Sequence, residues 1–207
     1  IERLLNRPLA RELARRAKLD LPNHQAHLTL LGLMEEGKIT LAAFLCFAPI
    51  LLIANKYPAC SLQMVIYSDV KRASSKAEID IASDNLLNLW DAGLDFLLYR
   101  SGMKRNGTVG TEARDALEVP DIALREALAN ALVHREYEDS ILREQPTVIE
   151  VYPDRVEITS FGELPEGISV ATLNDNPEKA LSIRRNPAIA SVFQHMAYME
   201  LNGSGIS

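Results

Sequence analysis

The polar residues of this 207-residue chain best placed to act together lie between Pro120 and Tyr137, in the run PDIALREALANALVHREY. Leu124, Ala127, Leu128, Ala131 and Leu132 recur there at helical spacing, and Asp121 stands where an N-cap belongs. At about 100° per residue, Glu126, Asn130 and His134 fall about 40° apart on the opposite side, with Tyr137 returning near the angle of Glu126. A carboxylate, an amide and an imidazole therefore share one face. The chemistry open to such a face is that of a hard cation seeking oxygen ligands and of water beside a carboxylate. A merely solvated helix face gives the same pattern, and spacing alone does not separate the two.

Other groups offer less. Arg3, Arg7, Arg11 and Arg15 recur every fourth residue, a slowly rotating basic ridge on an N-terminal helix that Pro8 kinks or restarts. Such a ridge can grip the phosphates of DNA or an acidic partner, and is equally a solvated, salt-bridged face. His24 and His27 lack further ligands nearby, so a metal site is not expected there. Cys46 and Cys60 lie in apolar surroundings without CxxC or Cys/His spacing, as expected of buried free thiols in a reducing cytoplasm.

Composition bounds the rest. With 47% hydrophobic and 24% charged residues the chain is an ordinary globular one, and its net charge of −6 argues against a general nucleic-acid-coating surface. The longest apolar run, Leu41 to Ala54, is too short to span a bilayer and is broken by Pro49, so no membrane partner is expected. The chain opens without Met on a charged stretch, which suggests a piece of a longer cytoplasmic protein.

The elements that must position the central helix follow from pattern. Residues 1–57 read as a helical N-terminal segment, with a break at Leu21–Pro22–Asn23. A helix from His27 to Glu36 is closed by Gly37, and Thr40 caps another reaching about Phe47. That last helix has almost no polar residues, so it is core and not a DNA-reading helix. Residues 58–207 read as an α/β domain. Cys60–Tyr67 alternates as a strand, a polar connection follows, and Asn85–Arg100 is a long helix ended by Gly102. Thr108–Leu117 is extended; Thr147–Tyr152 and Arg155–Thr159 form a hairpin at Pro153–Asp154. Residues 160–183 make a long loop, and Asn186–Pro187 starts a helix to about Tyr198.

Seven landmarks in order carry a resemblance: Leu30–Leu33, Gly37–Thr40, Ala123–Arg135, Asp154–Ile158, Gly162–Pro165, Arg185–Pro187 and Asn202–Ile206. Together they resemble the RecG-like C-terminal, or HATPase_c_4, group of GHKL-like domains. These occur in transcriptional regulators beside a Schlafen-type AlbA domain. The resemblance implies a two-layer α/β sandwich of helices on a mixed sheet, with an ATP and magnesium cleft between the central helix, the hairpin and the long loop. It implies Glu126 as the water-activating base, Asn130 as the magnesium ligand, and His134 and Gly162 lining the cleft. Gly203, Ser204 and Gly205 would form the glycine-rich turn whose N–H groups approach phosphates. It also implies DNA contact through a neighbouring domain. One departure stands out. Where the pattern has Asp-x-Gly-x-Gly, with Asp accepting the adenine amino hydrogen, this chain has Ser160–Phe161–Gly162–Glu163–Leu164. No Walker A or other helicase motor motif is present in the sequence. Two expectations follow: a nucleotide-responsive regulatory module, or a degenerate fold kept as a scaffold or homo-oligomerisation module.

Overall fold

The computed structural model describes residues 7–17, 24–74, 76–101, 119–139, 144–163 and 185–199. The long loop beyond Glu163, the stretch Thr108–Leu117, Gly102, Arg3 and the Gly203–Gly205 turn all lie outside the described residues.

Four strands form one mixed sheet in the order β4-β3-β5-β6, from β3 (Ser61–Tyr67), β4 (Ala77–Ser83), β5 (Thr147–Val151) and β6 (Val156–Thr159). β3 pairs antiparallel with β4 and parallel with β5, and β5 and β6 form the expected antiparallel hairpin. Leu62, Met64, Ile149 and Val151 point to one face and join the main apolar core. That core also takes residues from α5 (Leu86–Asp95), α6 (Asp121–Val133) and α7 (Pro187–His195). This is the α/β arrangement of helices over a mixed sheet, because alternate strand residues must find an apolar cover and the helices supply it. Leu13 of α1 (Arg7–Arg16) and Ala43, Leu45 and Phe47 of α3 (Leu41–Phe47) lie in the same cluster. As expected, α3 is core, and Thr40 caps it by accepting from Ala43 N at 3.4 Å.

α5 is capped by Asn85, whose side chain accepts from Asn88 N at 3.1 Å, and it runs on through a π-helical turn, Phe96–Arg100. Gly93 lets three elements close together: a Cβ there would stand 2.9 Å from Leu62 Cδ1 and 3.0 Å from Leu128 Cδ2. α6 thereby packs down onto α5 and β3 at the same point.

Four expectations are corrected. The stretch His27–Glu36 is not one helix: α2 (His24–Leu30) stops at Gly32, which has φ +70°. The chain then makes a hairpin of β1 (Met34–Glu35) and β2 (Lys38–Ile39), turned by Glu36 and Gly37 at φ +48° and +74°. Two consecutive positive φ values suit a hairpin turn, so Gly37 ends no helix. The polar connection after β3 contains a full strand, β4. Asp121 is not the cap of α6; Pro120 holds that position without a side-chain bond, and Asp121 is the first helical residue, where its charge still favours the helix N-terminus. Finally, α6 ends at Val133, so Tyr137 is not on its polar face. It is buried and its hydroxyl donates to Leu132 O at 2.7 Å.

α4 (Ile50–Lys56) starts after Pro49, as the break in the apolar run implied. Among the described residues no helix is long and apolar enough to cross a membrane. Cys46 and Cys60 are free and buried, and burial raises both thiols above their usual range, Cys60 to about 12.

Candidate functional site

α6 divides into a sealed side and an open one. Leu124, Leu128, Ala129, Leu132 and Val133 are buried, while Glu126 and Asn130 are half-buried on the other side. Asn130 Nδ2 donates to Glu126 Oε1 at 3.1 Å, the contact their i, i+4 spacing allows. An amide whose nitrogen serves the carboxylate keeps its oxygen as a hard donor for a cation. His134 follows as the C-cap, with φ −95° and ψ 7°, and its backbone N–H donates to Asn130 O at 2.9 Å. The helical polar face thus ends at Asn130, and His134 sits at its rim, half-buried.

Beyond the cap, three separate segments converge on the end of α6. Arg135 is fully buried; its guanidinium donates to Thr147 Oγ1 at 3.3 Å and to Gln145 O, fixing the entry to β5. It also lies 5.4 Å from the Phe161 ring centroid, and burial pushes it below its usual pKa. Ser160, leaving β6, donates through Oγ to Ala131 O at 2.6 Å, and Glu136 N donates to Phe161 O at 2.9 Å. Asn186 donates to both Val133 O and Arg135 O at 2.8 Å, so carbonyls at the end of α6 are met by the residue that opens α7. Arg185 pairs with Glu136 and donates to Glu163 O.

Gly162 belongs to this junction. At φ +142° it holds a conformation closed to other residues, and a Cβ would stand 3.0 Å from Glu136 Cβ and 3.2 Å from Glu136 N. Its need for glycine comes from this φ and from packing against Glu136, two residues past the cap. The rim nearer the start of α6 is tied elsewhere: Arg125 lies 4.7 Å over Trp90, which stacks on Tyr198 at 3.9 Å.

The structure therefore brings Glu126 and Asn130 together, puts His134 at the end of their face, and places Gly162 in the clamp beneath it. The basic ridge is split. Arg7 and Arg11 lie on α1, with Arg11 exposed, whereas Arg15 and Arg16 both bind Glu12 at 2.6 Å. Those two hydrogen bonds, Arg15 first, hold the Glu12 carboxyl down at about 2. Among the described residues no group of three or more His, Cys, Asp or Glu could hold a metal.

Pattern reading missed the roles of Arg135, Ser160, Arg185 and Asn186. Each side chain serves a backbone carbonyl of a distant segment, which no local periodicity encodes; the Asn–Pro pair at 186–187 was read as a helix start and as part of a landmark of the resemblance, not as a clamp.

Comparison with known proteins bears on these elements unequally. Residues 144–207 match the family model HATPase_c_4, "Putative ATP-dependent DNA helicase recG C-terminal". The match begins after α6, so the Glu126–Asn130 pair lies outside it. Among proteins of curated function none matches the sequence. Among solved structures the chain is similar to the DIP2311 protein from Corynebacterium diphtheriae, with a TM-score of 0.63 and 17% identity. That likeness covers 95% of this chain but only 37% of the other, and at such identity it speaks for the fold alone. Residues 144–207 are thus similar to the HATPase_c_4, RecG C-terminal family, and the α/β fold is similar to that of the solved structure.

Proposed function

We propose that this chain is a regulatory module of a cytoplasmic, DNA-binding transcriptional regulator, and that the open face of α6 binds a magnesium-bound nucleotide. The observation that carries the reading is the Asn130–Glu126 contact at 3.1 Å on a half-buried helix face. It turns the amide so that an oxygen is left beside a carboxylate, a donor set that fits a hard cation bridging phosphates. Asn130 would hold the cation, Glu126 would orient water next to it, and His134 would border the ligand. Gly203, Ser204 and Gly205 would approach the phosphates. The regulatory role, and DNA contact through a neighbouring domain, rest on likeness to the family.

The donor set does not extend to adenine. Ser160 stands where the family pattern has the adenine-reading carboxylate, and its hydroxyl is committed to Ala131 O. That observation favours a second reading, a scaffold without nucleotide. Thermal denaturation with ATP and magnesium separates the two. A ligand at one hundred times its Kd stabilises by about 2.7 kcal/mol, and Asn130→Ala should abolish the effect. An unchanged midpoint at millimolar ATP and magnesium leaves the scaffold reading.

A further inference from the structure

The sheet has one edge whose chemistry is self-complementary. β4 is the outermost strand, and among the described residues no strand pairs with its far side. Its register against β3 fixes which groups face outward. Ser68 N donates to Lys76 O and Asp84 N to Cys60 O, so the even-numbered residues of β4 bond to β3. The backbone N–H and C=O of Ala77, Ile79, Ile81 and Ser83 therefore point to the open edge. Turned away from β3, Ile81 N–H is bonded at 3.1 Å to the side chain of its own neighbour, Asp80 Oδ1, a local bond that pairing with another strand would exchange.

The side chains on the same strand are unusual for an edge. Ile79 and Ile81 are 58% and 69% exposed, on the sheet face opposite the helices. A long edge with exposed apolar residues is a template for another strand. The centre of the strand, Ile79–Asp80–Ile81, reads the same reversed about Asp80. An antiparallel second copy centred there sets Ile79 against Ile81 of the other chain twice over, both as hydrogen-bonded pairs. Ala77 then meets Ser83, and Glu78 meets Ala82. The one like-charge contact, Asp80 against Asp80, comes with its own counter-ion: Arg100 Nη1 lies 2.5 Å from Asp80 Oδ2. Two carboxylates and two guanidiniums would alternate across the axis.

We propose that β4 pairs with β4 of a second copy of this chain, antiparallel about Asp80, joining two four-stranded sheets into one. The pairing uses neither α6 nor its ligand face, so it stands or falls apart from the nucleotide reading.

Sedimentation of the 207-residue chain over about a hundredfold concentration range should show the mass rising from one copy towards two. Ile79→Lys with Ile81→Lys, both at exposed positions, should weaken association at least about tenfold while circular dichroism stays unchanged. Register is read by cross-linking. Residues facing each other at a non-hydrogen-bonded pair have Cα atoms about 4.5 Å apart, within disulfide range. Asp80→Cys should therefore yield a covalent dimer on mild oxidation. Glu78→Cys, about 13 Å from its own copy in this register, should not. Cys46 and Cys60 are buried and contribute no background. A chain that stays single throughout, a dimer indifferent to the two lysines, or a link at 78 and not at 80 would each overturn the proposal.

Discussion

The two halves of α6 are built to different standards. Its C-terminal end is gripped by Ser160 and Asn186 from elsewhere in the chain, while just beyond it Arg185 pairs with Glu136 and Arg135 reaches across to the entry of β5. The 13 residues of α6 lead up to that clamp, yet among the described residues Glu126 and Asn130 share one 3.1 Å side-chain hydrogen bond, with each other. Groups that fix a backbone need partners inside the protein, and groups that serve a ligand must keep some capacity unspent. On the proposed reading the clamp serves stability and the open face serves binding, and each half of that reading can be broken by mutation.

The largest effect belongs to Arg135. Arg135→Ala removes a fully buried side chain and strips donors from Thr147 Oγ1 and Gln145 O, so urea denaturation should show a loss of about 3 kcal/mol or more. Arg135→Met, which keeps the packed stem, should lose less. Next comes Asn186→Ala, which leaves two half-buried carbonyls without their donor and should cost about 1 to 3 kcal/mol. A smaller change would mean that water takes over at the clamp.

The Glu136–Arg185 pair adds a pH signature. Burial opposes ionisation of Glu136, but backbone N–H groups of Glu138 and Asp139 and the Arg185 guanidinium outweigh it, leaving the carboxyl below its usual range. A carboxyl depressed in the folded state contributes stability that is complete above its unfolded pKa, about 4.3, and is lost as pH falls through the folded value. Wild type should therefore lose its advantage over Glu136→Gln on acidification below about pH 4, and hold it unchanged from pH 5 to 7. A gap that persists undiminished on acidification well below about pH 4 would show the pair to be electrostatically idle.

How much of this was legible in sequence depends on range. The stripe of α6, the alternation of β3 and the Pro153–Asp154 hairpin are local patterns, and the structure keeps them. β4 escaped because its apolar residues, Ile79 and Ile81, face outward and its inward positions are Glu78, Asp80 and Ala82, so no core-facing period marks it. Gly37 misled because a glycine after Glu–Glu suits a helix stop as well as a hairpin turn, and the end of α2 at Gly32 is fixed by its φ of +70° together with packing against Ala188, 3.1 Å from an added Cβ. The contact between Glu126 and Asn130 was legible because their i, i+4 spacing sets them side by side on one helix. The clamp at the end of their helix, drawn from residues 29 to 53 positions away, left no such trace.

The smallest expected effect is also the sharpest. Asn130→Ala removes one i, i+4 contact on a half-buried face, which is worth about 0.2 to 0.5 kcal/mol in a helix, and alanine's better helix propensity returns a similar amount. Stability without ligand should thus stay within about 0.5 kcal/mol of wild type, whereas stabilisation by ATP and magnesium should vanish. The same substitution at a structural site would behave the other way round. If Asn130 were a second clamp, its loss would cost as much as that of Asn186, and any ligand effect would survive in proportion to the folded protein. A denaturation curve for Asn130→Ala that resembles Asn186→Ala would therefore erase the distinction between the two halves of α6, whatever nucleotide does.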